Sequence, residues 1–258
     1  MAFFTGSVFS EALAMHTALR VIIPEGGMQG KKILYLLHGL SDDSSAWTRN
    51  TRIEMYAEVR GYAVVMPEVQ RSFYTDLPAN GCRYFTYVAD ELPALCENLF
   101  GFRHKCETTF VAGLSMGGYG AMKCGLSRPA QYAACASFSG AVDLQGQLDS
   151  LEMLARRLPE YQSVFGTDKA AAPQDDLFKL AITLNERPAH EKPRVFATCG
   201  ASDHLLKNNH AFRDLMQTLS FDFEYKEWEG GHTWDFWDTS VQHAFDFFEH
   251  QTSGDSLK

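Results

Sequence analysis

The sequence predicts an α/β fold, a mostly parallel central sheet with helices on both faces. Two observations carry this. Apolar runs rich in β-branched and aromatic residues alternate with segments of helical period, the pattern of strands joined by crossover helices. The 258 residues are 45% apolar and 13% aromatic, enough for one large core, and contain no repeat or low-complexity tract. A single domain over residues 1–258 is expected, because α/β sheets commonly reach this length as one unit.

The elements follow in order. Residues 3–9 and 18–24 read as two strands at an antiparallel edge. Residues 33–37 form a continuous apolar run ending in His38-Gly39, as expected of a central strand buried on both faces. A helix is predicted over 52–60 and a strand over 62–66. In 86–99, Val88, Leu92, Leu95, Cys96 and Leu99 recur at helical spacing. A strand over 108–114 leads to Ser115, the segment after it is helical through Leu126, and 133–138 is the next strand. Strands over 194–199 and 221–228, a helix between them and a helix after Trp234 complete the pattern. Residues 143–192 break the rhythm with short helical patches, Pro159, Pro173, Pro188 and no strand. So long an insertion between strands is expected to pack as a small cap over the active site, with a surface decoration as the alternative.

Charge excludes some classes of function. The net charge is −9 and no basic cluster is longer than a pair such as Lys31-Lys32, so a nucleic-acid partner is not expected. The N-terminus has no basic leader region, and Glu11, His16 and Arg20 interrupt its apolar residues. No apolar run is long enough to span a bilayer, so no membrane partner is expected. The six cysteines lack paired spacing and read as reduced thiols, which suits a cytoplasmic protein. The sequence leaves a homo-oligomer open.

The sharpest motif is Gly113-Leu114-Ser115-Met116-Gly117, between a strand and a helix. That is the order of a nucleophile elbow, where the serine sits on a tight turn and its flanking positions must be small. A serine hydroxyl needs a base. Among nine histidines, His232 follows Gly230-Gly231 directly after the last predicted strand, where an α/β sheet presents a catalytic loop at its carboxyl edge. His38 ends a central strand and is expected to shape a loop; His204 and His210 lie on or beside a helix. The orienting acid should fall between Ser115 and His232, which favours Asp203 in Cys199-Gly200-Ala201-Ser202-Asp203, with Asp143 as the competitor and a helix cap as the alternative role of Asp203. The N–H groups of Leu40 and Met116 are the candidate oxyanion donors. Trp47, Tyr74, Trp234 and Trp237 are candidate pocket aromatics, against a role in ordinary core packing. No H-E-x-x-H metal motif and no phosphate-binding glycine loop is present, so neither metal nor cofactor is expected, and a small-molecule ester is the expected partner. A non-catalytic binding protein on the same fold stays the alternative from another class.

Four motifs together resemble one family: Leu36-Leu37-His38-Gly39-Leu40, Ser72-Phe73-Tyr74-Thr75-Asp76, residues 113–121 and Gly231-His232-Thr233-Trp234-Asp235-Phe236-Trp237. They are similar to the esterase D / putative esterase family of α/β hydrolases, nearest to its cytoplasmic tributyrin esterases. The resemblance implies an α/β-hydrolase fold, a triad of Ser115, Asp203 and His232, oxyanion donors at Leu40 and Met116, and pocket positions at Trp47 and Tyr74. It implies a serine carboxylesterase for short-acyl esters, with feruloyl or acetylxylan esterase and S-formylglutathione hydrolase as alternatives. The S-formylglutathione hydrolases carry a cysteine after His-Gly-Leu and Ser-Tyr-Tyr after the catalytic histidine. Here the loop is Ser41-Asp42-Asp43-Ser44-Ser45, and Thr233-Trp234-Asp235 follows His232.

Overall fold

One sheet of eight strands organises the computed structural model, which describes residues 1–27, 31–77, 80–148, 151–166 and 172–250. The strands are β1 (Ala2–Ser10), β2 (Met15–Ile23), β3 (Lys32–Leu37), β4 (Tyr62–Pro67), β5 (Thr109–Leu114), β6 (Ala134–Phe138), β7 (Arg194–Gly200) and β8 (Phe223–Trp228). Their order across the sheet is β1-β2-β4-β3-β5-β6-β7-β8. β2 pairs antiparallel with both β1 and β4, and every pairing from β4 to β8 is parallel.

The central strands are apolar throughout because both faces are covered. Ile33, Tyr35 and Leu37 of β3 point to one face with Ala63, Val65 and Val111, while Leu34 and Leu36 point to the other with Val64, Phe110 and Ala112. The second face is covered by α2 (Ile53–Arg60) and α10 (Trp234–Glu249), through Ile53, Ala57, Val241 and Phe245. The first is covered by α4 (Leu92–Phe100), α5 (Met116–Ser127) and α9 (Leu206–Met216), through Leu92, Tyr119, Met122 and Phe212. A short helix, α1 (Ala46–Asn50), precedes α2.

The helix predicted over 86–99 starts earlier and is not uniform. It opens as α3 (Tyr84–Thr86), widens into a π turn at Tyr87–Glu91 and continues as α4. Pro93 sits in the first turn of α4 and has no N–H to give the carbonyl four residues back, so the ladder is interrupted there.

Between β6 and β7 the chain makes α6 (Leu144–Leu148), α7 (Leu151–Phe165) and α8 (Leu177–Asn185), with no strand among its described residues. α8 starts on Asp176, whose carboxylate accepts the N–H groups of Phe178 and Lys179, and it packs against α5. A buried ion pair fastens this region to the sheet layer. Lys123 of α5 donates to Asp175 at 2.5 Å, to Thr75 Oγ1 at 3.0 Å and to the Tyr74 carbonyl at 3.3 Å, so all three ammonium protons are placed. Burial pulls the Lys123 ammonium below its ordinary value, against the pull of Asp175. All six cysteines are free thiols; Cys96, Cys124, Cys135 and Cys199 are buried, and Cys106 is exposed.

Candidate active site

β3, β5 and α5 converge at Ser115. Its backbone has φ 52° and ψ −116°, a region that strains any residue with a side chain. The surrounding bonds hold it there: Ser115 N–H donates to the Phe138 carbonyl at 2.9 Å, and its own carbonyl accepts from Ala141 N–H at 3.1 Å. A Cβ on Gly113 would stand 2.4 Å from the Gly117 backbone, and one on Gly117 would stand 2.4 Å from the Leu37 carbonyl oxygen. Only glycines let the strand and helix cross so closely, which is why the motif needs them two residues either side of the serine.

His232 lies on the loop between β8 and α10. Its Nε2 is 3.0 Å from Ser115 Oγ, and its Nδ1 is 2.9 and 3.2 Å from the two Asp203 oxygens. Two loops must touch for this. A Cβ on Gly200, at the end of β7, would stand 2.3 Å from the Gly230 carbonyl oxygen, and Ser202 N–H donates to that same carbonyl at 2.9 Å. Asp203 and His232 are thereby carried on adjoining backbone. The Asp203 carboxylate is fully buried. Burial pushes its pKa up, but the bonds from His232 and from Leu205 N–H at 2.8 Å outweigh this and hold it below the usual carboxylate range. Asp203 thus faces the histidine, and its bond to Leu205 N–H closes a turn before α9, whose N-cap is Leu205 and not Asp203. Asp143 is occupied elsewhere, accepting from Gly146 N–H at 2.8 Å and from Asn208 Nδ2 at 3.2 Å.

The loop after β3 is held by its histidine. Buried His38 accepts Val69 N–H on Nε2 at 3.2 Å, which leaves Nδ1 to donate to the Gly39 carbonyl at 2.8 Å. Gly39 N–H in turn donates to Asp42 at 3.1 Å. Leu40 and Met116, the first residue of α5, both line the cavity that opens over Ser115. The first amides of a helix have no acceptor within it, so the Met116 N–H is free to point at a ligand.

The cavity measures about 660 Å³. Trp234 and Trp237 form part of its wall. Trp47 and Tyr74 do not, which corrects the expectation for both. Trp47 is buried behind Trp234, donating Nε1–H to the Leu37 carbonyl at 3.1 Å. Tyr74 is completely buried: its hydroxyl donates to the His38 carbonyl at 2.9 Å, and its ring fills the space where Gly120 lacks a side chain. The cause is a double reversal of the backbone, with φ 51° at both Phe73 and Tyr74, that turns Phe73 to the cavity and Tyr74 to the core. His204, set aside in the sequence as lying on or beside a helix, is on the cavity wall, as are Gln147, Tyr161 and Asn208, which the motifs did not mark. Gln147 and Tyr161 belong to the insertion and bond to each other, and the Gln147 Nε2 is left without a partner. For His204 the signal was its position directly after Asp203.

Comparison with known proteins agrees with this architecture. The profile of the family described as "Putative esterase" matches residues 10–248. An acetyl esterase of Caldicellulosiruptor saccharolyticus is 27% identical over 267 aligned residues, covering 96% of this chain and 98% of that protein. The substrate-bound structure of the fluorophosphonate-binding serine hydrolase FphF of Staphylococcus aureus superposes with a TM-score of 0.85 at 27% identity, covering 97% of this chain and 99% of that one. An S-formylglutathione hydrolase (FrmB) of the same organism gives 0.80 at 28% identity, with coverage of 96% and 98%. With the profile spanning the elements from β2 to α10, the chain belongs to the putative esterase family and is a hydrolase of carboxylic esters on the α/β-hydrolase fold.

Proposed function

We propose that this esterase cleaves short-acyl esters through an acyl-enzyme on Ser115, with His232 as base and Asp203 as the acid that orients it. The observation that carries the reading is the unbroken hydrogen-bonded series from Asp203 through His232 to Ser115 Oγ, opening on a cavity. His232 Nε2 takes the hydroxyl proton as Oγ adds to the substrate carbonyl carbon, and the oxyanion faces the N–H groups of Leu40 and Met116. The imidazolium then protonates the departing alkoxide, and water repeats the sequence in reverse to release the acid. The ionised, buried Asp203 stabilises the imidazolium and fixes its tautomer.

The insertion at 143–192 acts as a cap in this reading, since it contributes Gly146, Gln147 and Tyr161 to the cavity. Phe73, Tyr161, Trp234 and Trp237 make bulky walls that suit small acyl groups. Each buried methylene gains about 0.8 kcal/mol until the chain meets such a wall, and overpacking then reverses the trend. The 27% identical acetyl esterase points the same way. No described helix is long and apolar enough to cross a membrane, and six free thiols suit a reducing compartment such as the cytoplasm.

The test is kcat/KM over p-nitrophenyl esters from acetate to dodecanoate, with methyl ferulate and S-formylglutathione alongside. The optimum is expected at about two to four carbons. A value still climbing at eight carbons overturns the short-acyl preference, and a larger value for ferulate or the thioester transfers the assignment to that substrate. Ser115→Ala should lower kcat by about 10⁴-fold or more and abolish labelling by a fluorophosphonate; an active variant would falsify the acyl-enzyme.

A further inference from the structure

A second histidine stands at the acid–base pair. His204 follows Asp203 in the chain, and its side chain is 67% exposed. Its ring centroid is 4.5 Å from that of His232, with the planes at 66°. His204 Nδ1 lies 3.5 Å from Asp203 Oδ1, and that oxygen lies 3.2 Å from His232 Nδ1. One ligating atom from each of the three residues falls within 4.8 Å of the other two.

Those separations match the edges of a metal tetrahedron. Zinc bonds of about 2.0–2.2 Å to imidazole nitrogen and carboxylate oxygen place neighbouring ligands about 3.4 Å apart. Two of the three edges already have that length. For an ion to reach His232 Nδ1, the Asp203 carboxylate must withdraw from the Nδ1–H axis it now faces, and the exposed His204 ring must turn toward that nitrogen. Two imidazoles and one carboxylate are also a donor set that zinc favours, and a fourth position is left for water.

We propose that Asp203, His204 and His232 form an inhibitory site for a divalent transition metal of the zinc type. The inference rests on His232 being the base. When the ion bonds Nδ1, the proton there leaves to solvent, and the remaining imidazole proton resides on Nε2. That nitrogen faces Ser115 Oγ and becomes a donor, so it no longer accepts the hydroxyl proton. The ion also draws the Asp203 carboxylate away from the imidazole that it oriented. No redox change is involved: one cation enters and one proton leaves.

The test uses zinc chloride in a non-chelating buffer, with calorimetry for binding and p-nitrophenyl acetate hydrolysis for inhibition. Ser115→Ala, which removes no ligand, should bind zinc as the wild type does. His204→Gln should bind at least tenfold more weakly and need at least tenfold more zinc for half-inhibition relative to its own uninhibited rate. His204→Cys, which restores a ligand, should regain both, and EDTA should return full activity. Unfolding temperatures of the variants check that the fold persists. If His204→Gln binds zinc as tightly as the wild type, the site is wrong while the role of His232 stands. If binding depends on His204 but saturating zinc leaves hydrolysis untouched, the inhibition falls and so does His232 as base.

Discussion

At Ser115 the chain accepts a strained backbone because the end of β6 and the loop after it hold both of its peptide groups. The same logic of occupied partners separates the two carboxylates that sequence order left in competition. Asp203 faces His232, whereas Asp143 is engaged with Gly146 and Asn208. Asp203→Asn should therefore lower kcat by about 10⁴-fold through the wrong imidazole tautomer, and Asp143→Asn by only a small fraction of that. Steady-state kinetics on the pair decide it; a collapse confined to Asp143→Asn would move the acid. Ser115 and His232 were legible because glycine-rich turns after strands leave a mark in sequence. The orientation of Tyr74 was not, since it depends on two consecutive left-handed residues in a loop with no glycine. Its corrected place gives a second prediction. Tyr74→Phe leaves the His38 carbonyl without its donor and should cost about 1–3 kcal/mol in urea unfolding. KM should hardly move, because the ring never meets substrate; a large rise in KM would return Tyr74 to the pocket.

Among the elements, α5 carries two loads. Its N-terminus presents Ser115 and Met116, and two turns later Lys123 grips the segment that leads into α8. The central strands were legible because short continuous apolar runs rich in β-branched residues suit a sheet covered on both faces. The packing of the insertion was not, since it follows from contacts distant in the chain, and the π turn before α4 was marked only by Pro93, which helical spacing passes over. Lys123→Met strands the Asp175 carboxylate in a buried position and should destabilise the protein by about 3–5 kcal/mol. Replacing both partners, as in Lys123→Met with Asp175→Leu, removes the desolvated charges together and should recover most of that loss. Urea unfolding of the two variants measures this. A double variant no more stable than the single one would show that the pair is not the fastening.

Over the whole molecule, the parallel strands deliver their carboxyl ends to one edge, and the loops after β3, β5, β7 and β8 meet there. The aromatic residues gathered at that edge give the protein a built-in optical signal. Of its four tryptophans, Trp234 and Trp237 wall the cavity, and Trp47 touches Trp234 edge-on at 5.4 Å between centroids. Trp237 also stands 4.9 Å from the His232 ring. Emission from this cluster should therefore change as Ser115 is acylated or phosphonylated, with no label attached. A stopped-flow trace with a fluorophosphonate should show one exponential at the rate of inactivation, absent in Ser115→Ala. Trp234→Phe should lose most of the amplitude, whereas replacing Trp228, which stacks on Phe236, should keep it. The enzyme can thus be followed through a single turnover by its own light.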